Sequence, residues 1–183
     1  MTKDFSLSKL MDAKKLVLGG IGLILGGAMV ASAATIELSL EQEQVICKLK
    51  ETVEAQEKAG RKLVFLPLIG KIKEKVEVPF TAKLSSNISY TILGVCDNNC
   101  SDLNLTLKNQ KGNKIANDEK QDGIPVISFT PTEKSDYKIT ARPDKCTTEK
   151  CEFGMVFFVP KSVELDVGSK LPEELYVFKF CKK

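Results

Sequence analysis

The sequence predicts a mainly β chain: a sandwich or barrel of antiparallel strands preceded by an N-terminal amphipathic helix. Three observations carry that prediction. From residue 62 onward, apolar residues recur with period two over short stretches, which is the side-chain period of a strand. Clusters of Ser, Asn, Gly and Pro separate those stretches, as turn chemistry requires. No helical stretches alternate with the strands, so nothing in the sequence signals βαβ units or the parallel sheet they build.

The helix falls in the segment 34–60. Ser39-Leu-Glu-Gln42 fits a capping box, with Ser at the cap and Gln three residues on. Val45, Ile46, Leu49 and Val53 follow at helical spacing, with Glu and Lys filling most of the remainder. Gly60 is a natural stop. The apolar stripe is narrow, so the helix is expected to pack on one side only. Cys47 lies well off that stripe.

Strands are expected over 61–183. Residues 63–69 form an apolar run broken by Pro67. Val76, Val78, Phe80, Ala82 and Leu84 alternate with Glu77, Pro79, Thr81 and Lys83. Ser85-Ser86-Asn87 marks a turn, after which Ile88, Tyr90 and Ile92 alternate and the strand runs on through Val95. Leu103, Leu105 and Leu107 alternate with Asn104 and Thr106. A turn over 109–113 precedes a short strand over 114–116. Further strands are expected over 126–130, 137–141, 153–159, 163–167 and 175–180.

The first residues predict export. Lys3, Lys9, Lys14 and Lys15 outweigh Asp4 and Asp12, and an apolar run follows over 16–30. It ends in Ala31-Ser32-Ala33, then Ala34. A basic start, an apolar centre and a small-x-small exit form a signal peptide over 1–33, cut between Ala33 and Ala34. The alternative is an uncleaved membrane anchor, because 16–34 carries no charge and is just long enough to span. The expected location is extracytoplasmic, secreted or periplasmic.

Composition removes several chemistries. The chain has 183 residues and no histidine, which excludes a Ser-His-Asp triad, a Cys-His pair and an HExxH zinc site. A formal charge of +3 without a basic stripe argues against nucleic-acid binding. The lysine clusters (Lys71, Lys73 and Lys75; Lys182 and Lys183) are read as solvated surface.

Six cysteines lie beyond the signal segment. An even count in an exported chain reads as disulfides, and six allow 15 connectivities. Spacing favours two local bridges, Cys96 with Cys100 and Cys146 with Cys151, each closing a small polar loop. That leaves Cys47 and Cys181 as a candidate long-range pair. A CxxxC spacing is not the CxxC of a redox dithiol. A four-thiolate zinc site is the remaining alternative, disfavoured by an oxidising compartment.

One stretch of the chain carries a family resemblance. Its residues are Tyr90-Thr-Ile-Leu-Gly-Val-Cys96-Asp97-Asn-Asn-Cys100-Ser-Asp102-Leu103-Asn104-Leu105, then Gly112-Asn-Lys-Ile-Ala116-Asn-Asp118 and Asp122-Gly-Ile-Pro125-Val126. Phe129-Thr-Pro131, Tyr137-Lys-Ile139 and the Cys146/Cys151 pair complete it. Over 84–159 the chain resembles the bacterial pre-peptidase C-terminal domain family, in a variant with a CDxxCxD motif and a late cysteine pair. Asn104 stands where that family often repeats an aspartate. The resemblance implies a jelly-roll-like antiparallel β-sandwich that accompanies secreted enzymes without being one.

Asp97, Asp102, Asn104, Asp118 and Asp122 sit in or beside loops. If the fold brings these loops together, their oxygens form a candidate Ca²⁺ site, since Ca²⁺ takes 6–8 oxygen ligands. The competing reading is that Asp and Asn are there because turns use them. Paired carboxylates also raise glycoside hydrolysis, but the chain has no Trp and only three Tyr to stack a sugar. Asn87-Ile-Ser89 and Asn104-Leu-Thr106 match the glycosylation sequon. The expected role is a non-enzymatic module that binds or scaffolds, its partner an unidentified protein or cell-surface polymer. The alternatives are a small secreted hydrolase or hydrolase inhibitor using the acidic loop face, and an envelope protein anchored by its N-terminal segment.

Overall fold

The computed structural model describes residues 37–164 and 175–181. The signal segment 1–33, with its cleavage residues Ala33 and Ala34, lies outside the described residues. So do Lys182 and Lys183 and most of the strand expected over 163–167. Among the described residues, no helix is long and apolar enough to cross a membrane.

A helix α1, Leu40–Lys58, begins at the expected place. Ser39 caps it, its side chain accepting from the backbone N–H of Gln42, while the Gln42 side chain accepts from the N–H of Ser39. Gly60 follows with φ +79°, a left-handed conformation that glycine adopts without a Cβ penalty, and the helix stops there. The strands then run β1 Arg61–Leu63, β2 Leu68–Lys73, β3 Val78–Leu84, β4 Tyr90–Cys96, β5 Cys100–Lys108, β6 Lys114–Asp118, β7 Val126–Phe129, β8 Ser135–Cys146 and β9 Lys150–Pro160.

They form two antiparallel sheets. One has the order β1-β9-β4-β7, with β2 sharing the edge of β9 beside β1; the other has the order β3-β8-β5-β6. Both are built from antiparallel pairs. Alternation places Leu103, Leu105 and Leu107 of β5 and Tyr137, Ile139 and Ala141 of β8 in the core between the sheets. They meet Ile92, Phe153, Met155 and Phe157 from the other sheet. The mainly β fold with one N-terminal helix is as the sequence predicts.

The helix adds a third layer. Val45, Ile46, Leu49 and Val53 pack on Leu93, Val95, Val156 and Phe158, which point out of the opposite face of β4 and β9. Both strands are therefore covered on both sides. Every residue of β4 is buried, and so is β9 from Cys151 to Val159. That explains why these stretches read as nearly continuous apolar runs instead of alternating. Burying each of the four helix side chains contributes roughly 1.5–3 kcal/mol.

Three expectations are corrected. Residues 175–180 form a 3₁₀ helix, Tyr176–Phe180, not a strand. Leu175 and Phe178, three apart, bury against α1, so a tight helix satisfies the apolar spacing. The strand expected from Val76 begins at Val78, because Lys75 turns the chain at φ 61° and donates its N–H to Pro143 O. Residues 163 and 164 are not in a strand.

Candidate functional site

The acidic loops lie at one end of the sandwich. Cys96 ends β4 and Cys100 begins β5, with Asp97, Asn98 and Asn99 between them. Asp97 is fully buried. Its Oδ1 accepts from Asn99 N at 3.0 Å, and its Oδ2 accepts from Glu152 N at 2.9 Å. The backbone N–H of Asp97 in turn donates to Glu152 O at 3.0 Å. One side chain thus shapes its own loop and ties it to β9.

The same loop is held from two further directions. From α1, Lys48 Nζ donates to Cys96 O at 2.7 Å, and Gln44 Oε1 accepts from Asn98 N at 2.9 Å. From the β8–β9 turn, Thr147 N donates to Asn99 O at 2.8 Å. Beside it, Lys71 Nζ lies 3.0 Å from the buried Glu152 Oε1, a contact that raises the lysine pKa. Lys73 pairs with Glu149 at 3.1 Å and Lys75 with Glu74 at 3.4 Å. Glu74 Oε2 also accepts from Cys146 N, which, ahead of Lys75, lowers its carboxyl pKa.

Disulfides join Cys96 to Cys100, Cys146 to Cys151 and Cys47 to Cys181. Among the described residues no cysteine is free, so no thiolates are left for the zinc alternative. The two local bridges flank the Asp97 loop, since Cys100 and Cys146 are register partners across β5 and β8. The long bridge ties α1 to the end of the 3₁₀ helix.

Asp118 and Asp122 shape the neighbouring β6–β7 loop. Asp118 Oδ1 accepts from Lys120 N at 3.1 Å and Oδ2 from Val126 N at 2.9 Å. Asp122 Oδ1 accepts from Ile124 N at 3.0 Å, and Asp122 O accepts from Leu103 N. This loop does approach the first one: a Cβ on Gly123 would lie 3.2 Å from Cys96 Sγ. The carboxylates nevertheless do not converge. Among the described residues, no three His, Cys, Asp or Glu side chains come together to hold a metal ion. Of the five residues expected to hold Ca²⁺, Asp97, Asp118 and Asp122 serve backbone N–H groups, which is turn chemistry, and Asp102 and Asn104 lie apart from them.

Asp102 and Asn104 belong to a different place. Asn104 faces outward from β5, opposite Arg142 of β8. Its Nδ2 donates to Asp144 Oδ2 at 2.8 Å, and Arg142 grips the same carboxylate through Nε at 2.7 Å and Nη2 at 2.8 Å. That bidentate pair raises the Arg142 pKa. Burial, and then the charge of Asp144, raises the Asp102 pKa above its ordinary value of 3.8. Asn104 is 5% exposed, so its sequon has no accessible acceptor in the folded chain.

This outer face of the four-stranded sheet holds a polar groove of about 160 Å³, floored by Asn104, Thr106 and Thr140 and edged by Lys108, Lys114 and Arg142, with Glu77 and Glu119 beside them. Sequence reasoning did not single it out. The signal was present as the polar phase of two alternating strands: Asn104, Thr106 and Lys108 in β5, and Lys138, Thr140 and Arg142 in β8.

Fold and site together define a disulfide-stapled antiparallel β-sandwich with a helix across one face and a polar groove on the other. No protein-family model matches the chain, and no curated protein matches it. Among solved structures it is similar to the pre-peptidase C-terminal domain of a collagenase from Bacillus anthracis, at TM-score 0.42 and 9% identity over 50% of this chain and 87% of that one. It is also similar to PliG of Aeromonas hydrophila, a periplasmic inhibitor of g-type lysozyme, at TM-score 0.40 and 10% identity over 51% and 84%. A third is the Yersinia pseudotuberculosis-derived mitogen, at TM-score 0.42 and 13% identity over 60% and 98%.

Proposed function

We propose that this chain is an exported, non-enzymatic β-sandwich module that binds a protein or a cell-surface polymer in the cell envelope or extracellular space. The observation that carries this reading is the state of the loop carboxylates. Asp97 and Asp118 each have both oxygens engaged by backbone N–H groups. A general acid–base pair needs carboxyls that face a substrate with their pKa values pushed apart. Here the acids hold loops in shape, which suits a rigid binding surface. Three disulfides support an oxidising compartment. We read the CDxxCxD stretch and the late cysteine pair as a variant of the pre-peptidase C-terminal pattern.

The test is fractionation of cells producing the full chain, followed by incubation of the purified protein with isolated envelope material. Recovery outside the cytoplasm with no titratable thiol, together with saturable retention on unaltered envelope, is expected. Recovery in the cytoplasm with free thiols overturns the compartment. Release of soluble fragments from the envelope polymer overturns the non-enzymatic reading.

A further inference from the structure

We propose that the groove on the outer face of the four-stranded sheet binds an acidic saccharide: a hydroxylated ring bearing a carboxylate. The proposal rests on the binding-module reading and names the surface and the ligand class.

Two buried polar groups point to a ligand. Asn104 is 5% exposed and Thr140 is 3% exposed. Both line the groove, yet among the described residues Asn104 Oδ1 and Thr140 Oγ1 have no hydrogen-bond partner. Buried polar atoms are nearly always paired, so each such atom calls for a reason. The orientation of Asn104 is set by its Nδ2 bond to Asp144, so the free atom is an acceptor and requires a donor from outside. The Thr140 hydroxyl can donate or accept a hydrogen bond. A ring hydroxyl meets both needs.

A third observation supplies the charge. Register places Lys138 of β8 beside Lys108 of β5, and Lys108 beside Lys114 of β6. Three cations therefore stand in one row across three strands. Like charges directly opposed weaken a sheet. Lys114 has a carboxylate partner, Glu119 at 3.6 Å. Among the described residues, no carboxylate lies within ion-pair distance of Lys108 or Lys138. Arg142 is already committed to Asp144. Lys108 and Lys138 thus lack an anion of their own next to a floor that lacks hydroxyl donors, while Glu77 and Glu119 also line the groove.

Size and lining narrow the class. About 160 Å³ is comparable to cavities that accept a single six-membered ring. Every lining residue is polar or charged, so neither an apolar peptide anchor nor a lipid chain is served. The groove has no aromatic floor, which leaves nothing to stack a nucleobase or the apolar face of a neutral sugar. A carboxylate at the lysine row, with hydroxyls at Asn104 and Thr140, satisfies what is left.

The experiment is an NMR titration of the full chain with D-glucuronate as the probe, and with glucose and acetate as single-feature controls. Saturable shifts of the Asn104, Thr106, Thr140 and Arg142 amides are expected with glucuronate, at concentrations where either control does little. Thr140→Val and Lys108→Gln are each expected to weaken binding by roughly threefold to tenfold, the range of one lost hydrogen bond. Thr140→Val removes a hydroxyl with no partner among the described residues, so a melting temperature no lower than the parent's confirms that the variant is folded. Absence of saturable shifts, shifts of equal size with acetate alone, or variants that bind as tightly as the parent overturn the proposal. Envelope retention separates it from the reading beneath it. Parent-level retention of both variants sinks the groove and leaves the module; no retention of the parent sinks both.

Discussion

Gly154 of β9 lies directly beneath Leu49 of α1: a Cβ built on the glycine would stand 2.6 Å from Leu49 Cδ1 and 2.9 Å from Val45 Cγ1. The glycine sits in mid-strand, where it adds no side chain to the sheet. Its absent Cβ is what lets the helix settle onto the five-stranded sheet. Gly154→Ala is therefore expected to destabilise the fold by about 1–3 kcal/mol through overpacking. Combining it with Leu49→Ala should give less than the sum of the two, because the second change opens the space the first one needs. Chemical denaturation of the two singles and the double measures this. Strict additivity would mean that the helix does not bear on Gly154.

Asp97 offers a second prediction. Its two oxygens accept from Asn99 N and Glu152 N, and the residue is fully buried. Asp97→Asn keeps the shape but turns one acceptor into a donor. One buried N–H is then orphaned, which costs about 1–3 kcal/mol. The site of the loss should be visible as faster amide hydrogen exchange at Asn99 or Glu152. Protection unchanged at both amides contradicts the role assigned here.

These two positions also show what could be read from the chain alone. The Ser39–Gln42 capping box and the Leu103, Leu105, Leu107 alternation are local signals, and each stands in the structure where its spacing put it. The turn role of Asp97 was equally local, since an aspartate bonding the N–H two residues on needs no knowledge of the fold. Its bond to Glu152 crosses 55 positions, and nothing in either residue announces it. The 3₁₀ helix is not legible because residues 175–178 are apolar or aromatic at every position, which suits either period. Only the seating of Leu175 and Phe178 against α1 decides between the two periods. The groove was overlooked for the opposite reason. Asn104, Thr140 and Lys108 look like the ordinary wet side of alternating strands; the burial of Asn104 and Thr140, and the lack of a partner for Asn104 Oδ1 and Thr140 Oγ1 among the described residues, appear only once the sheet is assembled.

The Cys47–Cys181 bridge spans 134 positions and joins α1 to the 3₁₀ helix. Closing so long a loop restricts the unfolded chain, and the chain-entropy account gives on the order of 3–5 kcal/mol. A double Cys47→Ser, Cys181→Ser variant is expected to lose stability of that order while keeping both sheets, because neither cysteine lies in a strand. Phe178 is the sensitive reporter. Its amide, which donates to Leu175 O, should exchange faster in the variant than any amide of β5 or β8. A variant as stable as the parent would show that the 3₁₀ segment is held by burial alone.

Asp102 gives a pH-dependent prediction of the less usual sign. Burial first, and then the neighbouring Asp144, raise its pKa above the ordinary 3.8, and its Oδ1 is buried without a partner among the described residues. A raised carboxyl pKa means that the folded state holds the proton more tightly than the unfolded one. The ionised side chain is thus a burden on folding at neutral pH. That burden lifts as pH falls through the folded pKa and is gone below the unfolded value. Asp102→Asn removes the charge at every pH. It should therefore be more stable than the parent at pH 7, by roughly 1 kcal/mol on the scale of an unpaired buried acceptor. The gap should close as the pH drops toward the ordinary aspartate range. Melting curves of parent and variant at several pH values between 7 and 3 decide it. A variant less stable at pH 7 would mean that the attraction of Arg142 and Lys145 for the carboxylate outweighs its burial.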